Sequence, residues 1–188
     1  MRSPYKLIVI GGSAGSLQVI FRIFKNIKPG FTIPFLLVLH RNISYDSALE
    51  QLLSFKTSIA VKEIEEKEKI QPGKIYICPA DYHVLIERDH SFSLDYSEKI
   101  NYSRPSIDVV FKSSSEVYTN KLICILLSGA NADGAEGLRY AKEKGSLIIV
   151  QDPIEAEVPY MPEQALKRTT ADHILKSKDI GAFINSLT

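Results

Sequence analysis

The chain has 188 residues, of which 45% are hydrophobic, and its 23 lysines and arginines nearly balance its 22 aspartates and glutamates. This size and composition are typical of one globular domain with a full core, so we expect a single domain over residues 1–188. The balanced charge argues against binding to a phosphate backbone, and no nucleic-acid partner is expected.

The sequence shows no sign of export or of membrane insertion. No apolar run approaches the roughly 20 residues that span a bilayer, and the N-terminus lacks a signal-peptide pattern. Cys78 and Cys124 lie in separate apolar runs, without the paired spacing of a metal site. Buried, reduced thiols in a cytoplasmic protein are the simplest interpretation.

The first half of the chain alternates apolar strands with helical patterns. Residues 7–10 form a β-branched run that ends in two glycines, and apolar residues at helical spacing follow. Residues 35–39 form a second apolar run that ends at His40, with a helix predicted over residues 44–55 and a weaker strand over 61–64. Strands that are apolar on both faces belong in a parallel sheet covered by helices.

Residues 71–96 have a different character. Three short and partly alternating segments, 74–78, 83–87 and 91–95, are separated by turn residues. They predict an antiparallel hairpin region inserted into the parallel scaffold.

The second half returns to alternation. Pro105 suits the first turn of a helix, which would carry the apolar stripe Ile107, Val110 and Phe111. Further elements are then predicted as a strand over 122–127, a glycine-containing turn over 128–134, a helix to about 144, a strand over 146–150, and helices over 162–167 and 180–187. The pattern predicts a doubly wound α/β fold, in which a mostly parallel sheet has helices on both faces.

A candidate nucleophile follows the first strand. Ser13 lies in Gly11-Gly12-Ser13-Ala14-Gly15, which satisfies the G-x-S-x-G pattern of a nucleophile elbow between a strand and a helix. The same serine could instead cap the following helix, so the motif alone leaves both interpretations open. The glycine spacing of a dinucleotide or phosphate loop is not met.

Two further polar residues follow predicted strands, and the carboxyl ends of parallel strands share one edge of the sheet. His40 could accept the Ser13 proton, although an isolated histidine at a strand end is more often structural. Asp133 could orient that imidazole, or it could form a capping box with Glu136. His83, His90 and His173 are weaker candidates because they lie in a hairpin, a turn and a late segment.

Arg104 and Ser106 could line the same cleft. They could equally organise the helix entry around Pro105, and we leave them outside the catalytic set. The chain order serine, histidine, aspartate differs from that of ordinary α/β-hydrolases, but triads recur by geometry rather than by sequence order.

These motifs together resemble the catalytic domain of the CheB-type protein-glutamate methylesterases over nearly the whole chain. The family's I-G-A-S-T-G-G corresponds to residues 10–16, its Q-H to Leu39-His40, and its L-T-G-M-G-N-D-G to residues 127–134. Three more stretches agree with family patterns: residues 71–79, residues 104–108 and Met161-Pro162.

The resemblance implies roles for five residues. Ser13 would be the nucleophile, His40 the base and Asp133 the acid of a triad, while the backbone N–H groups of Ala14 and Ala130 would bind the oxyanion. Ala14 and Ala130 stand where the family has threonine and methionine, and residues 41–43 replace the family's M-P-P.

The resemblance also implies a reaction and its partners. The expected activity is hydrolysis of γ-glutamyl methyl esters on methyl-accepting chemotaxis receptors, with deamidation of receptor glutamines as a second reaction, and neither metal nor organic cofactor is needed. A separate response-regulator receiver or a histidine kinase is a candidate regulatory partner. Two alternatives stay open: a non-catalytic signalling module of the same fold, favoured by Ala14 and the altered loop after His40, and a serine hydrolase of small esters.

Overall fold

The computed structural model describes residues 3–40 and 46–187. Residues 41–45, which include the altered loop and the start of the predicted second helix, lie outside the described residues. The strands are β1 (Leu7–Gly12), β2 (Phe35–Leu39), β3 (Ala60–Glu63), β4 (Lys74–Ile77), β5 (His83–Ile86), β6 (Phe92–Asp95), β7 (Leu122–Leu126), β8 (Leu147–Gln151) and β9 (His173–Leu175). The helices are α1 (Ser16–Asn26), α2 (Asp46–Ser54), α3 (Ile107–Tyr118), α4 (Ala135–Glu143), α5 (Tyr160–Arg168) and α6 (Ser177–Ser186).

Seven strands form one parallel sheet in the order β3-β4-β2-β1-β7-β8-β9. The chain winds outward from β1 in one direction through β2 and in the other through β7. This topological switch point opens a crevice at the carboxyl ends of the three central strands, where α/β proteins bind their ligands. The predicted doubly wound fold is confirmed.

Helices cover both faces of the sheet because the central strands are buried on both sides. On one face, β1 residues Ile8 and Ile10 pack in a cluster with apolar residues of α1, α2 and α6. On the other face, Leu7 and Val9 belong to a cluster with residues of α3, α4, α5 and the β5–β6 hairpin. Such two-sided burial explains the uninterrupted apolar runs in the sequence.

The predicted antiparallel region is only partly correct. β5 and β6 form the antiparallel pair, but β4 is a parallel strand of the main sheet between β2 and β3. The run Ile75-Tyr76-Ile77 is buried on both faces, as expected for an inner parallel strand, and the turn residues before it obscured this assignment. β9 was not predicted, because a three-residue edge strand carries little periodic signal.

Helices α3 and α4 approach each other closely at Gly137. A side chain at that position would meet the Cα atom of Asp108 at 2.9 Å and the Cβ atom of Phe111 at the same distance. Glycine therefore allows the start of α3 to lie against the first turn of α4. None of the described helices is long and apolar enough to cross a membrane.

Candidate active site

The carboxyl ends of β1, β2 and β7 lie at one edge of the sheet, and each of these strands is followed by one of the predicted triad residues. Gly12 pairs with Leu39 across β1 and β2, and the His40 N–H donates to the Gly12 carbonyl at 3.3 Å. Ser13 and His40 are consequently the next residues on neighbouring strands, which lie about 4.8 Å apart. Asp133 lies in the turn between β7, the other neighbour of β1, and α4.

The turn after β1 presents the Ser13 side chain without using it to cap α1. Gly15 is the N-cap residue, with a positive φ of 77° that favours glycine, and no side chain caps the helix. The Ser13 backbone N–H donates to the Ser128 carbonyl at 2.9 Å, and the Ser13 carbonyl accepts from the N–H and the hydroxyl of Ser16. Within the described residues the Ser13 hydroxyl makes no hydrogen bond, so the capping alternative is wrong.

Asp133 is fully buried and its carboxylate is surrounded by hydrogen-bond donors. Oδ2 accepts from His40 Nε2 at 2.8 Å and from the Ile107 N–H at 2.7 Å. Oδ1 accepts from the Ser106 hydroxyl at 2.9 Å and from the Asp108 N–H at 3.1 Å. Three of these donors belong to the N-terminus of α3, where the helix dipole also favours a negative charge.

The environment of Asp133 keeps this carboxylate ionised. Burial alone would raise its pKa, but the hydrogen bonds from His40, Ile107 and Asp108 outweigh burial and lower the pKa below its usual range. An ionised carboxylate only accepts hydrogen bonds, so His40 Nε2 must carry the proton. The lone pair of the neutral ring is then at Nδ1, which is available to act as a base.

Two polar side chains lie beside that imidazole nitrogen. The Ser103 hydroxyl is 3.5 Å from His40 Nδ1, and it accepts a hydrogen bond from Asn131 Nδ2 at 3.1 Å. Asn131 also accepts the Asp133 N–H through its side-chain oxygen. Asn131 therefore links the turn that carries Asp133 to Ser103, which lies beside the His40 ring.

A second histidine supports the start of α3. His83 is buried, its Nε2 lies 3.0 Å from the carbonyl of Glu98, and its Nδ1 accepts the Ser106 N–H at 3.1 Å. A carbonyl only accepts, so Nε2 carries the proton and the ring is neutral. His83 holds Ser106 in place, and Ser106 in turn donates to Asp133.

Ser13 and His40 also line one cavity of about 220 Å³. The rest of its wall is mainly hydrocarbon from five residues of α1, β2 and α2, which we call the leucine pocket: Leu17, Leu39, Ala48, Leu49 and Leu52. The side chains of Ser13 and His40 are not hydrogen-bonded to each other in the described part of the chain. Such contacts are often loose before substrate binds.

Two backbone N–H groups near Ser13 lack partners among the described residues, those of Ala14 and Ala130. Both residues are exposed. The turn that carries Ala130 is held by two hydrogen bonds. The side chain of buried Gln151 accepts the Ser128 N–H at 2.9 Å, and the Gly129 N–H donates to the Val158 carbonyl at 3.1 Å. Free donors on a rigid turn suit the binding of a developing negative charge.

Asp108 is a second buried carboxylate next to Asp133. It accepts from the Gly137 N–H at 2.6 Å and from Asn101 Nδ2 at 3.2 Å. Burial, with a further contribution from the negative charge of Asp133, raises the pKa of Asp108 to about 6.

We expect the Asp108 carboxyl group to make the folded protein less stable as pH rises. The folded-state pKa lies above the ordinary value of 3.8, so the folded state holds the proton more tightly and its stability falls between about pH 4 and pH 6. Asp108→Asn cannot ionise but keeps an oxygen for the Gly137 N–H. From pH 4.5 to 7.5, urea titrations should show the wild-type free energy of unfolding falling by roughly 1–3 kcal/mol relative to the variant. Parallel curves for the two proteins would contradict this expectation.

The structure separates the residues whose roles the sequence left open. Asp133 does not form a capping box with Glu136, because Gly134 is the N-cap of α4 and Glu136 pairs with Arg139. Arg104 forms an ion pair with Asp81, which lies between β4 and β5, and donates to the carbonyls of Tyr96 and Ser97.

Ser106, predicted to lie outside the catalytic set, contacts Asp133 directly and also caps α3 by accepting the Val109 N–H. The helix begins two residues after Pro105 rather than at it. In the described ranges no group of three or more histidine, cysteine, aspartate or glutamate side chains is placed to hold a metal ion.

Comparison with known proteins identifies the family of this chain. The model of the CheB methylesterase family matches residues 8–184. The chain belongs to this family. The crystal structure of the Thermotoga maritima CheB methylesterase catalytic domain superposes on it with a TM-score of 0.93 at 30% identity, covering 98% of this chain and 99% of that one.

Relatives of known name agree with this assignment. A Leptospira interrogans protein, named provisionally as a protein-glutamate methylesterase/protein-glutamine glutaminase, is 44% identical over 176 residues, which cover 94% of this chain and 91% of the relative. The protein-glutamate methylesterase/protein-glutamine glutaminase of Thermotoga maritima is 32% identical over 178 residues. This chain spans about half of the Thermotoga protein, 52% of its length.

Proposed function

We propose that this CheB-family protein hydrolyses γ-glutamyl methyl esters on methyl-accepting chemotaxis receptors, with Ser13 as nucleophile, His40 as base and Asp133 as acid. The observation that carries the proposal is the 2.8 Å contact between His40 Nε2 and a buried Asp133 carboxylate. It lies one strand away from the Ser13 hydroxyl, which has no hydrogen bond among the described residues. The names of the relatives supply the reaction class.

Acylation begins when His40 Nδ1 takes the hydroxyl proton of Ser13 and the oxygen attacks the ester carbonyl. Asp133 stabilises the resulting imidazolium through Nε2. The N–H groups of Ala14 and Ala130 donate to the oxyanion of the tetrahedral intermediate. The imidazolium returns its proton to the departing methoxide, so methanol leaves and a glutamyl ester of Ser13 remains.

Deacylation repeats these steps with water. His40 removes a proton from the water, the hydroxide attacks the acyl-enzyme, and Ser13 leaves with the proton from the imidazolium. The product is a free glutamate side chain. A glutamine side chain passes through the same intermediates with ammonia as the leaving group, so deamidation of receptor glutamines is the second proposed reaction.

The setting of the reaction is also part of the proposal. Elements from both ends of the chain pack on one sheet, which supports a single domain over residues 1–188. Action in the cytoplasm, the compartment expected from the sequence, is part of the proposal. A separate response-regulator receiver or a histidine kinase is the proposed regulatory partner.

The substrate class is tested by measuring product release from three substrates in parallel: receptors with labelled methyl esters, unmodified receptors with glutamine, and small methyl esters. We expect labelled methanol from the first, ammonia from the second, and slower hydrolysis of the third, because small esters lack the binding contributed by the rest of a receptor. Rapid hydrolysis of small esters without any release from receptors would indicate a small-ester hydrolase. A folded protein inactive on all three substrates, with candidate receivers present, would indicate a non-catalytic module.

A further inference from the structure

The leucine pocket shares its walls with the reacting groups. Among the described residues, these five apolar side chains together with Ser13, Ser16 and His40 line one space of about 220 Å³. Whatever delivers an ester carbonyl to the Ser13 hydroxyl therefore lies against this space. A substrate group that enters the pocket would therefore lie beside the reacting serine.

The chemistry of the wall selects apolar groups. Among the polar lining residues, Ser16 already donates its hydroxyl to the Ser13 carbonyl at 2.6 Å, and Ser13 and His40 are reserved for the reaction. A polar or charged group in the leucine pocket would lose bonds to water that the described lining residues do not replace. An apolar group would lose nothing and would cover the two partly exposed leucines, Leu17 and Leu52, which are 37% and 45% exposed.

The size of the pocket exceeds what the ester itself can fill. A cavity of about 150 Å³ lined by leucine, isoleucine and phenylalanine holds a benzene molecule, so about 220 Å³ has room for a leucine or phenylalanine side chain. A methyl group is close to a water molecule in size, and water takes only about 30 Å³ in the liquid. Filling the pocket would therefore take a second group of the substrate, in addition to the ester.

We propose that the leucine pocket binds an apolar side chain of the substrate, located one helical turn from the glutamyl ester that Ser13 attacks. The inference rests on the proposed function. In a helical substrate, residues three or four apart have Cβ atoms about 5–6 Å from each other, so an apolar neighbour of the ester would be close enough to enter a pocket that Ser13 lines. The protein would then select its sites by an apolar anchor next to the ester.

The test uses helical peptides with one glutamate γ-methyl ester and a single variable residue, placed in turn three or four residues before or after the ester. At each position leucine is compared with glutamine, and methanol release gives kcat/KM. For at least one position we expect the leucine peptide to be about 10-fold better, a discrimination typical of a hydrophobic pocket, with the difference mainly in KM.

Variants of the protein assign the preference to the pocket. Leu52→Gln should reduce the leucine preference to less than 3-fold, mainly by raising KM for the leucine peptide. Phe55→Gln is the matched control, because Phe55 is 87% exposed just beyond α2 and does not line the pocket. This variant should keep the full preference. Circular dichroism establishes that both variants are folded.

Three outcomes would overturn the inference. Equal rates for leucine and glutamine at all four positions would show that the pocket does not read the substrate, although methanol release itself would keep the proposed function. A leucine preference that survives in Leu52→Gln would place the anchor elsewhere. Absence of methanol from every peptide and also from methylated receptors would remove the proposed function, and the inference with it.

Discussion

Replacing Asp133 with asparagine is expected to lower kcat for ester hydrolysis about 10⁴-fold, as the loss of the acid does in other serine triads. The four groups around the carboxylate are all donors: His40 Nε2–H, the N–H groups of Ile107 and Asp108, and the hydroxyl of Ser106. Asparagine offers one oxygen and one NH₂ group to these four. Either orientation therefore leaves donors facing donors.

One of the two asparagine orientations removes the base directly. If the NH₂ group faces His40, Nε2 must become the acceptor and the proton moves to Nδ1, so the nitrogen that should take the Ser13 proton is blocked. The other orientation preserves the tautomer but sets the NH₂ group against the Asp108 N–H. We expect the loss of these bonds to cost about 1–3 kcal/mol of stability as well.

The measurement pairs kinetics with spectroscopy. Nitrogen chemical shifts of the His40 ring should report Nε2–H in the wild type and a changed population of the two tautomers in Asp133→Asn. Asp89→Asn, an exposed hairpin residue far from the site, is the control and should keep full activity. An Asp133→Asn enzyme within 10-fold of wild-type kcat would remove Asp133 from the mechanism.

Replacing Ser13 with alanine is expected to lower activity even further, by about 10⁵-fold or more, because no acyl-enzyme can form. The fold should tolerate the change. The Ser13 hydroxyl makes no hydrogen bond within the described residues, and the turn is held by the backbone contact to Ser128 and by Gly15. The thermal midpoint should therefore stay within a few degrees of the wild-type value.

The sequence predicted most of the fold because two-sided burial leaves a strong signal in the inner strands. Residues 35–39 are one such run, and the strand found there has the same bounds. β4 was assigned to the wrong sheet, since four apolar residues after a turn do not reveal which strands will flank them. The placement of an inner strand depends on pairing between segments that are distant in the chain.

The site was predicted less completely, because its support comes from tertiary contacts. Asp133 is contacted by Ser106 and Asn131, and His83 supports Ser106. These three residues come from different segments, and no spacing in the sequence indicates their roles. The family pattern around residues 104–108 was the available signal for Ser106. This pattern indicated that the segment has a role in the family, but not that the start of α3 donates hydrogen bonds to Asp133.

Methanol release from methyl-labelled receptors would show whether Ser13 carries out receptor methyl-ester hydrolysis. Wild type, Ser13→Ala and the control Ser186→Ala, an exposed serine of α6, are compared at equal concentration. We expect release by wild type and Ser186→Ala, and none above background by Ser13→Ala. Equal release by all three proteins would contradict this role of Ser13.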